Sequence, residues 1–198
     1  SAADTASTAA TTTAAATSTS TQATSATTSV TTASASLSGL TASSLVTLDD
    51  EDYVTEAGSD ATTITLAGTS ASVEGTGAEA ADGSVTITAA GTYVIGGSLS
   101  DGQIIVDTAD ADSVHMILNG VELTDLDSAP IYVKSAEKVI LTLAEGTANT
   151  VTDGSTYTLN TDEEPSAAIF SKADLTINGT GSLVVTANYK DGITSKDD

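Results

Sequence analysis

SAPIYVKSAE (128–137), SAAIFSKADL (166–175) and KDGITSKDD (190–198) are three versions of one phrase, an Ile followed by a Lys three residues on and then an acid. Ile131, Ile169 and Ile193 correspond, as do Lys134, Lys172 and Lys196, at steps of 38 and 24 residues. Further back, the Ile105 segment of GQIIVD leads Ile131 by 26 residues. A recurring unit of about two dozen residues made of short β-rich runs is the mark of rungs that stack on their neighbours, because one rung cannot bury its own apolar face. The fold predicted is all-β, a right-handed parallel β-helix (solenoid) whose functional groups lie on the outside of the coil.

Runs that fit this reading include TITLAG (63–68), SVTIT (84–88), TYVIGG (92–97), SVHMILNG (113–120), KVILTLAEG (138–146), LTINGTG (175–181) and SLVVTA (182–187). They are rich in Val, Ile, Leu and Thr and are separated by DG, NG and GTG turns, which is strand chemistry. Helical periodicity is absent. NG and DG also make hairpins, so an antiparallel sandwich is the competing architecture. Alternation assigns faces. Val114, Met116 and Leu118 point inward with His115 and Ile117 outward. Ile131, Val133, Val139, Leu141, Leu143, Leu175, Ile177, Leu183, Val185 and Ile193 complete the inner ladders. On this reading Ile177→Asp buries an unpaired carboxylate. The stretch 144–165 accounts for the long step as a rung plus an excursion of about 14 residues.

The first 45 residues stand apart. From Ser1 to Ser44 the only charge is Asp4, and nearly everything else is Ser, Thr or Ala. Such a stretch cannot bury enough apolar surface to offset ordering entropy. Residues 1–45 therefore read as a disordered Ser/Thr/Ala-rich stalk or linker, and 46–198 as the β-helix domain. GITSKDD stops where its earlier copy runs on into a further strand, so the domain reads as truncated at its C-terminal end or as open to another chain there. The acidic run 49–60 is a surface link or part of an N-terminal cap.

Net charge is −22, from 27 acids against five lysines and no arginine. Nucleic acid is excluded as a partner, since binding it rests on Lys and Arg neutralising phosphates. Anionic membrane surfaces are disfavoured for the same reason. Without cysteine, disulfides and thiolate metal sites are impossible.

Acidity leaves cation binding open. DTADADS supplies Asp107, Asp110 and Asp112, and NYKDG with SKDD supplies Asn188, Asp191, Asp197 and Asp198, to which stacking adds Asp174; TDLDS adds Asp125 and Asp127. Hard oxygen ligands at strand ends suit Ca²⁺, which takes six to eight of them. A solvated acidic face is the plainer reading of DTADADS; calcium is favoured for the second group. Lys134, Lys172 and Lys196 form a column in which each lysine pairs with the acid that follows it (Glu137, Asp174, Asp198), or else one serves as a base. Tyr132 and Phe170 occupy equivalent outward places and form either a sugar platform or a structural stack. His115, the single histidine, reads as a surface residue.

The ordered phrases SVTITAAGTYVIGGSLSDGQIIVD, MILNGVELT, SAPIYVKSAEKVILTLAEGTANTVTDG, AAIFSKADLTINGTGSLVV and NYKDGITSKDD resemble a family of secreted bacterial carbohydrate-binding proteins related in fold to polysaccharide lyases, over about residues 60–198. The resemblance implies a parallel β-helix, bound calcium, and affinity for cell-wall polysaccharide such as cellulose or pectic polygalacturonate, on exported and often surface-attached proteins. A lyase needs a base, commonly arginine, to take the C5 proton, and this chain has none. The expectation is a secreted or cell-surface polysaccharide-binding protein stabilised by calcium, without catalysis. The alternatives are a subunit of an extracellular fibre or surface assembly, a homo-oligomer built by end-to-end stacking, and a pectate-lyase-like enzyme.

Overall fold

A computed structural model describes residues 48–158 and 165–197. The stretch assigned to a stalk, residues 159–164 of the excursion, and Asp198 lie outside the described residues. Among those described, the chain is all-β apart from a 3₁₀ turn, Asp50–Tyr53. The strands are β1 (Thr62–Gly68), β2 (Ser70–Glu74), β3 (Ala78–Ala81), β4 (Ser84–Ile87), β5 (Gly91–Leu99), β6 (Ile104–Asp107) and β7 (Val114–Thr124). They continue as β8 (Ile131–Ser135), β9 (Lys138–Leu143), β10 (Ala148–Thr152), β11 (Ala167–Ser171), β12 (Asp174–Gly179), β13 (Ser182–Thr186) and β14 (Asp191–Ser195).

They form two mixed sheets. One runs β12-β9-β7-β5-β1-β2, with β10 beside β7 and β13 beside β10; the other runs β14-β11-β8-β6-β4-β3. Antiparallel pairing joins β1 to β2 and β3 to β4, and the other pairings described are parallel. The hairpin-built sandwich is thus not what forms. From β5 onward the chain crosses to the second sheet and returns, so each strand lies beside one laid down an excursion earlier. Corners recur at equivalent places. The long strand β7 pairs with β9 through Val114–Leu118 and with β10 through Glu122–Thr124, so it bends at Asn119-Gly120. Its neighbour β5 bends at Gly96-Gly97, where Gly97 has φ +97° and an added Cβ would sit 2.2 Å from the Leu66 carbonyl oxygen. Only glycine fits there.

The core lies between the inner faces. Val114, Met116 and Leu118 are fully buried, as are Ile131, Val133, Val139 and Leu141. Ile131, Ile169 and Ile193 are in register, as the repeat predicts. Each fully buried Val, Leu or Ile contributes about 1.5–3 kcal/mol.

Three expectations need correction. Ile131 pairs with Ile104, not with Ile105, which lies opposite Tyr132; a slip of one residue exchanges the faces. The inner ladder thins at its end: Leu175, Leu183 and Val185 are half-buried, while Ile177 is 38% and Ile193 44% exposed. Among the described residues β12, β13 and β14 each have a strand on one side only, so Ile177→Asp places its carboxylate at a half-open surface rather than in the core. Finally, His115 and Ile117 leave the outer face of β7 yet are 7% and 4% exposed. The reason is a covering segment. The 3₁₀ turn lies across the outer face of β9 and β12, where Asp52 accepts from Lys138 Nζ at 2.7 Å and from Thr176 Oγ1 at 2.6 Å. Asn178 Nδ2 donates to the carbonyls of Asp52 and Val54 at 2.8 and 3.0 Å. The acidic run is therefore a strap.

Candidate functional site

Tyr132 and Phe170 lie opposite each other on the outer face of the second sheet, as the repeat places them. They are not exposed. Their centroids are 6.0 Å apart at 56°, and both rings are buried in a small cluster with Ala129 and Ala167. The segment following β10 covers them by laying Tyr157 against the cluster. The structural alternative for this pair is the one that forms, and the sugar platform is not there.

A different aromatic pair reaches the surface. Tyr157 and Tyr189 stack with centroids 4.2 Å apart and 20° between planes, both half-buried. Lys190 Nζ lies over the Tyr189 ring, 4.7 Å from its centroid. Rings so close leave no room for an ammonium between them, so it sits on the face of Tyr189 turned away from Tyr157. Asp153, buried at the end of β10, holds both tyrosines in place. Its Oδ2 accepts from the Tyr157 hydroxyl at 2.8 Å. Its Oδ1 accepts from the Asn188 backbone N–H, and its carbonyl accepts from Asn188 Nδ2 at 2.6 Å. Burial, then the Asp153 carboxylate, push the Tyr157 hydroxyl far above its ordinary value, so it stays a donor at any physiological pH. Tyr157 follows β10 and Tyr189 follows β13, neighbouring strands in register, but at different distances from the strand ends, so the repeat alone does not pair them.

The predicted calcium ligands are dispersed. Asp107 pairs with Lys134 at 2.8 Å, which matches this lysine to an acid of the neighbouring strand. Asp110 Oδ2 accepts from the Ala90 N–H at 2.8 Å. Asn188 is occupied in the turn before Tyr189. Asp191 and Asp197 are exposed at either end of β14. Lys196 lies 5.9 Å from the Phe170 ring centroid. Of the predicted ligands among the described residues, Asp112 and Asp174 are brought together, lining a cavity of about 390 Å³ with Asp49, Glu51, Glu137 and Lys138. Among the described residues no three acids or imidazoles converge closely enough to hold a metal ion.

A second polar recess, of about 320 Å³, brings Asp125 and Asp127 of TDLDS together with Asp82 and Asp101, which the sequence did not single out. Asp125 is 3% exposed, and its Oδ1 accepts from the N–H groups of Asp127 and Ser128. Burial raises its pKa, and the charges of Asp127 and Asp101 add to that against the two backbone hydrogen bonds. Ionised Asp125 therefore opposes folding at neutral pH, and a nearby cation would relieve it.

Residues 81–198 match the family described as carbohydrate-binding domain-containing protein. A protein of that description from Acetivibrio thermocellus is 44% identical over 116 residues, covering 58% of this chain and 41% of the relative. A solved structure of a polysaccharide lyase-like protein from C. thermocellum, a gadolinium derivative, is 38% identical with a TM-score of 0.65, covering 68% of this chain and 55% of that one. The chain thus spans about half the length of these relatives.

Proposed function

The chain belongs to the carbohydrate-binding domain-containing protein family, and from that premise we propose that it is a polysaccharide-binding protein that holds its ligand without cleaving it. The observation that carries this reading is the Tyr157–Tyr189 stack. Tyr157 backs one face of Tyr189, and among the described residues the exposed Lys190 lies over the other. A pyranose can lay its C–H face on that ring while the ammonium swings to its oxygens. Cellulose-type chains are held by stacking. Pectate-type chains gain the attraction of Lys190, which offsets the repulsion of a polyanion by a chain of net charge −22.

The parallel pairings and recurring corners support a parallel β-helix, right-handed because about 98% of parallel crossovers are. The lack of arginine in the 198 residues and the engagement of Lys134 by Asp107 favour binding over elimination chemistry. A secreted, surface-attached location agrees with a polysaccharide ligand and with the Ser/Thr-rich first 45 residues.

Tyr189→Ala should weaken binding to insoluble cellulose or polygalacturonate about tenfold, or about 1.4 kcal/mol, while Tyr189→Phe stays within about twofold because the ring is kept. Pull-down isotherms measure this, and equal binding by wild type and Tyr189→Ala would sink the platform.

Calcium enters this reading as a diffusely held counter-ion to the Asp82–Asp101–Asp125–Asp127 recess, whose carboxylates line one space without converging into a closed coordination site. A raised carboxylate pKa means the ionised form is unfavourable to the fold, so the benefit of calcium should appear at pH 7 and fade once Asp125 is protonated. We expect millimolar calcium to raise Tm by several degrees at pH 7, at about 2–4 °C per kcal/mol. Equal melting in calcium and in EDTA would remove the ion from the account.

A further inference from the structure

His115 carries the single imidazole of the chain and takes no part in the tyrosine platform. Its side chain is enclosed beneath the strap, with Nε2 2.6 Å from Thr142 Oγ1. The direction of that bond can be deduced. Asn178 Nδ2 donates to the strap carbonyls of Asp52 and Val54, which fixes the amide so that Oδ1 faces Thr142 at 2.5 Å. An amide oxygen only accepts, so the single Thr142 proton goes to Asn178, and Thr142 Oγ1 must accept from His115 Nε2–H. The neutral ring is the Nε2–H tautomer, and burial, which depresses its pKa, keeps it neutral. Nδ1 is left as a bare acceptor in a side chain more than nine-tenths buried.

The ring lines a cavity of about 380 Å³ together with Glu51, Val54, Asp112, Ser113 and Ile140. Ser113 Oγ already donates to Glu51 Oε2 at 2.9 Å. The side-chain groups left for an occupant are mostly acceptors, Nδ1 and the carboxylates of Glu51 and Asp112, beside the Thr92 hydroxyl, which can give or take a hydrogen bond. Val54 and Ile140 supply an apolar wall. Two carboxylates repel an anionic sugar, and no metal-holding group exists here among the described residues. What fits is a neutral molecule with several hydroxyl donors and a C–H face.

We propose that this cavity takes one neutral sugar unit, whose hydroxyl donates to His115 Nδ1. The proposal rests on the polysaccharide-binding reading and gives it a second contact, on the outer face of β7 and β9.

Because the histidine is unique, long-range ¹H–¹⁵N NMR reports on it without ambiguity. Free protein at pH 7 should show the Nε2–H pattern. Saturating cellohexaose should shift Nδ1 far more than Nε2. Val54→Trp, which fills the cavity from its exposed side, should abolish that shift and weaken cellohexaose binding several-fold. Tyr189→Ala should lower affinity yet keep the shift at saturation. If cellohexaose perturbs Tyr189 but leaves Nδ1 unmoved, the pocket is wrong and the platform stands. If Nδ1 responds to putrescine and not to cellohexaose, the cavity is an organic-cation site and the sugar assignment falls. Perturbation of neither residue overturns both readings.

Discussion

Lys138→Met should destabilise the protein at pH 7 by about 3–5 kcal/mol, the usual cost of stranding one member of a buried ion pair. The Asp52 side chain is 1% exposed and that of Lys138 12%, at 2.7 Å. Asp49 and Glu51 also lie within 3.5 and 3.7 Å of the ammonium, but they are solvent-exposed and count for little. Without the lysine, the Asp52 carboxylate keeps only Thr176 and the Asp49 N–H as donors. The strap should then lift and wet His115 and Ile140 beside it. Removing both charges, in Asp52→Asn with Lys138→Met, should recover much of the loss.

The dependence on pH follows from the same pair. Burial by itself would raise the Asp52 pKa, but the hydrogen bonds from Lys138, Thr176 and Asp49 and the lysine charge outweigh it, so the folded value lies below the ordinary one. Such a group stabilises fully above its unfolded pKa, and that contribution is lost as pH falls from about 4 through the folded value. For Lys138, burial alone would lower the pKa, but Asp52 and the other acids raise it above the ordinary value. Its contribution is complete below about 10.4 and is lost as pH climbs through the folded value. Urea titrations at pH 3 and pH 7 test the mutant: its deficit should shrink at pH 3, where Asp52 can protonate. A Lys138→Met protein within 1 kcal/mol of wild type at pH 7 would mean the strap is held by something else.

Asn149→Ala should cost on the order of 3–5 kcal/mol, because the side chain ties three neighbouring strands at one corner. Its Oδ1 accepts from the N–H groups of Gly120 and Val121 at 3.0 and 2.9 Å. Its Nδ2 donates to Thr147 Oγ1 and to the Ser182 carbonyl, each at 3.1 Å. Asn149 is 1% exposed, so alanine leaves the Val121 N–H buried without a partner and strips the Gly120 N–H and the Ser182 carbonyl, both nearer the surface, of theirs. At about 2–4 °C per kcal/mol, Tm should fall by roughly 10 °C. Asn149→Asp should not rescue it, since it keeps the acceptor but loses both donors and buries a charge. A fall of under about 2 °C for the alanine variant would show that the corner relaxes around the gap.

Asn149 also marks a limit of sequence reading. ANTVT lies in the stretch 144–165, read as a rung plus an excursion, without being marked as a strand; it is β10, a regular member of its sheet, and the excursion begins after it, at Asp153. Two apolar residues fewer than in KVILTL made the strand hard to see, and a mid-strand Asn argues against burial until its four partners are known.

Periodicity carried the columns. Repeated phrases brought Ile131, Ile169 and Ile193 into line, with Tyr132, Phe170 and Thr194 beside them, because stacked parallel strands put equivalent residues one strand spacing apart. Strand alternation is a local property of the backbone, so the face from which each side chain leaves could be read from its neighbours alone. What crosses over that face is not local. The strap over His115 comes from residues about 60 positions earlier, its anchor joins Asp52 to Thr176 across 124 residues, and the cover on Tyr132 and Phe170 is the segment around Tyr157. Burial, ion pairing and the tyrosine stack depend on those long-range coverings, and no short-range pattern in a chain encodes which distant segment will settle on a given surface.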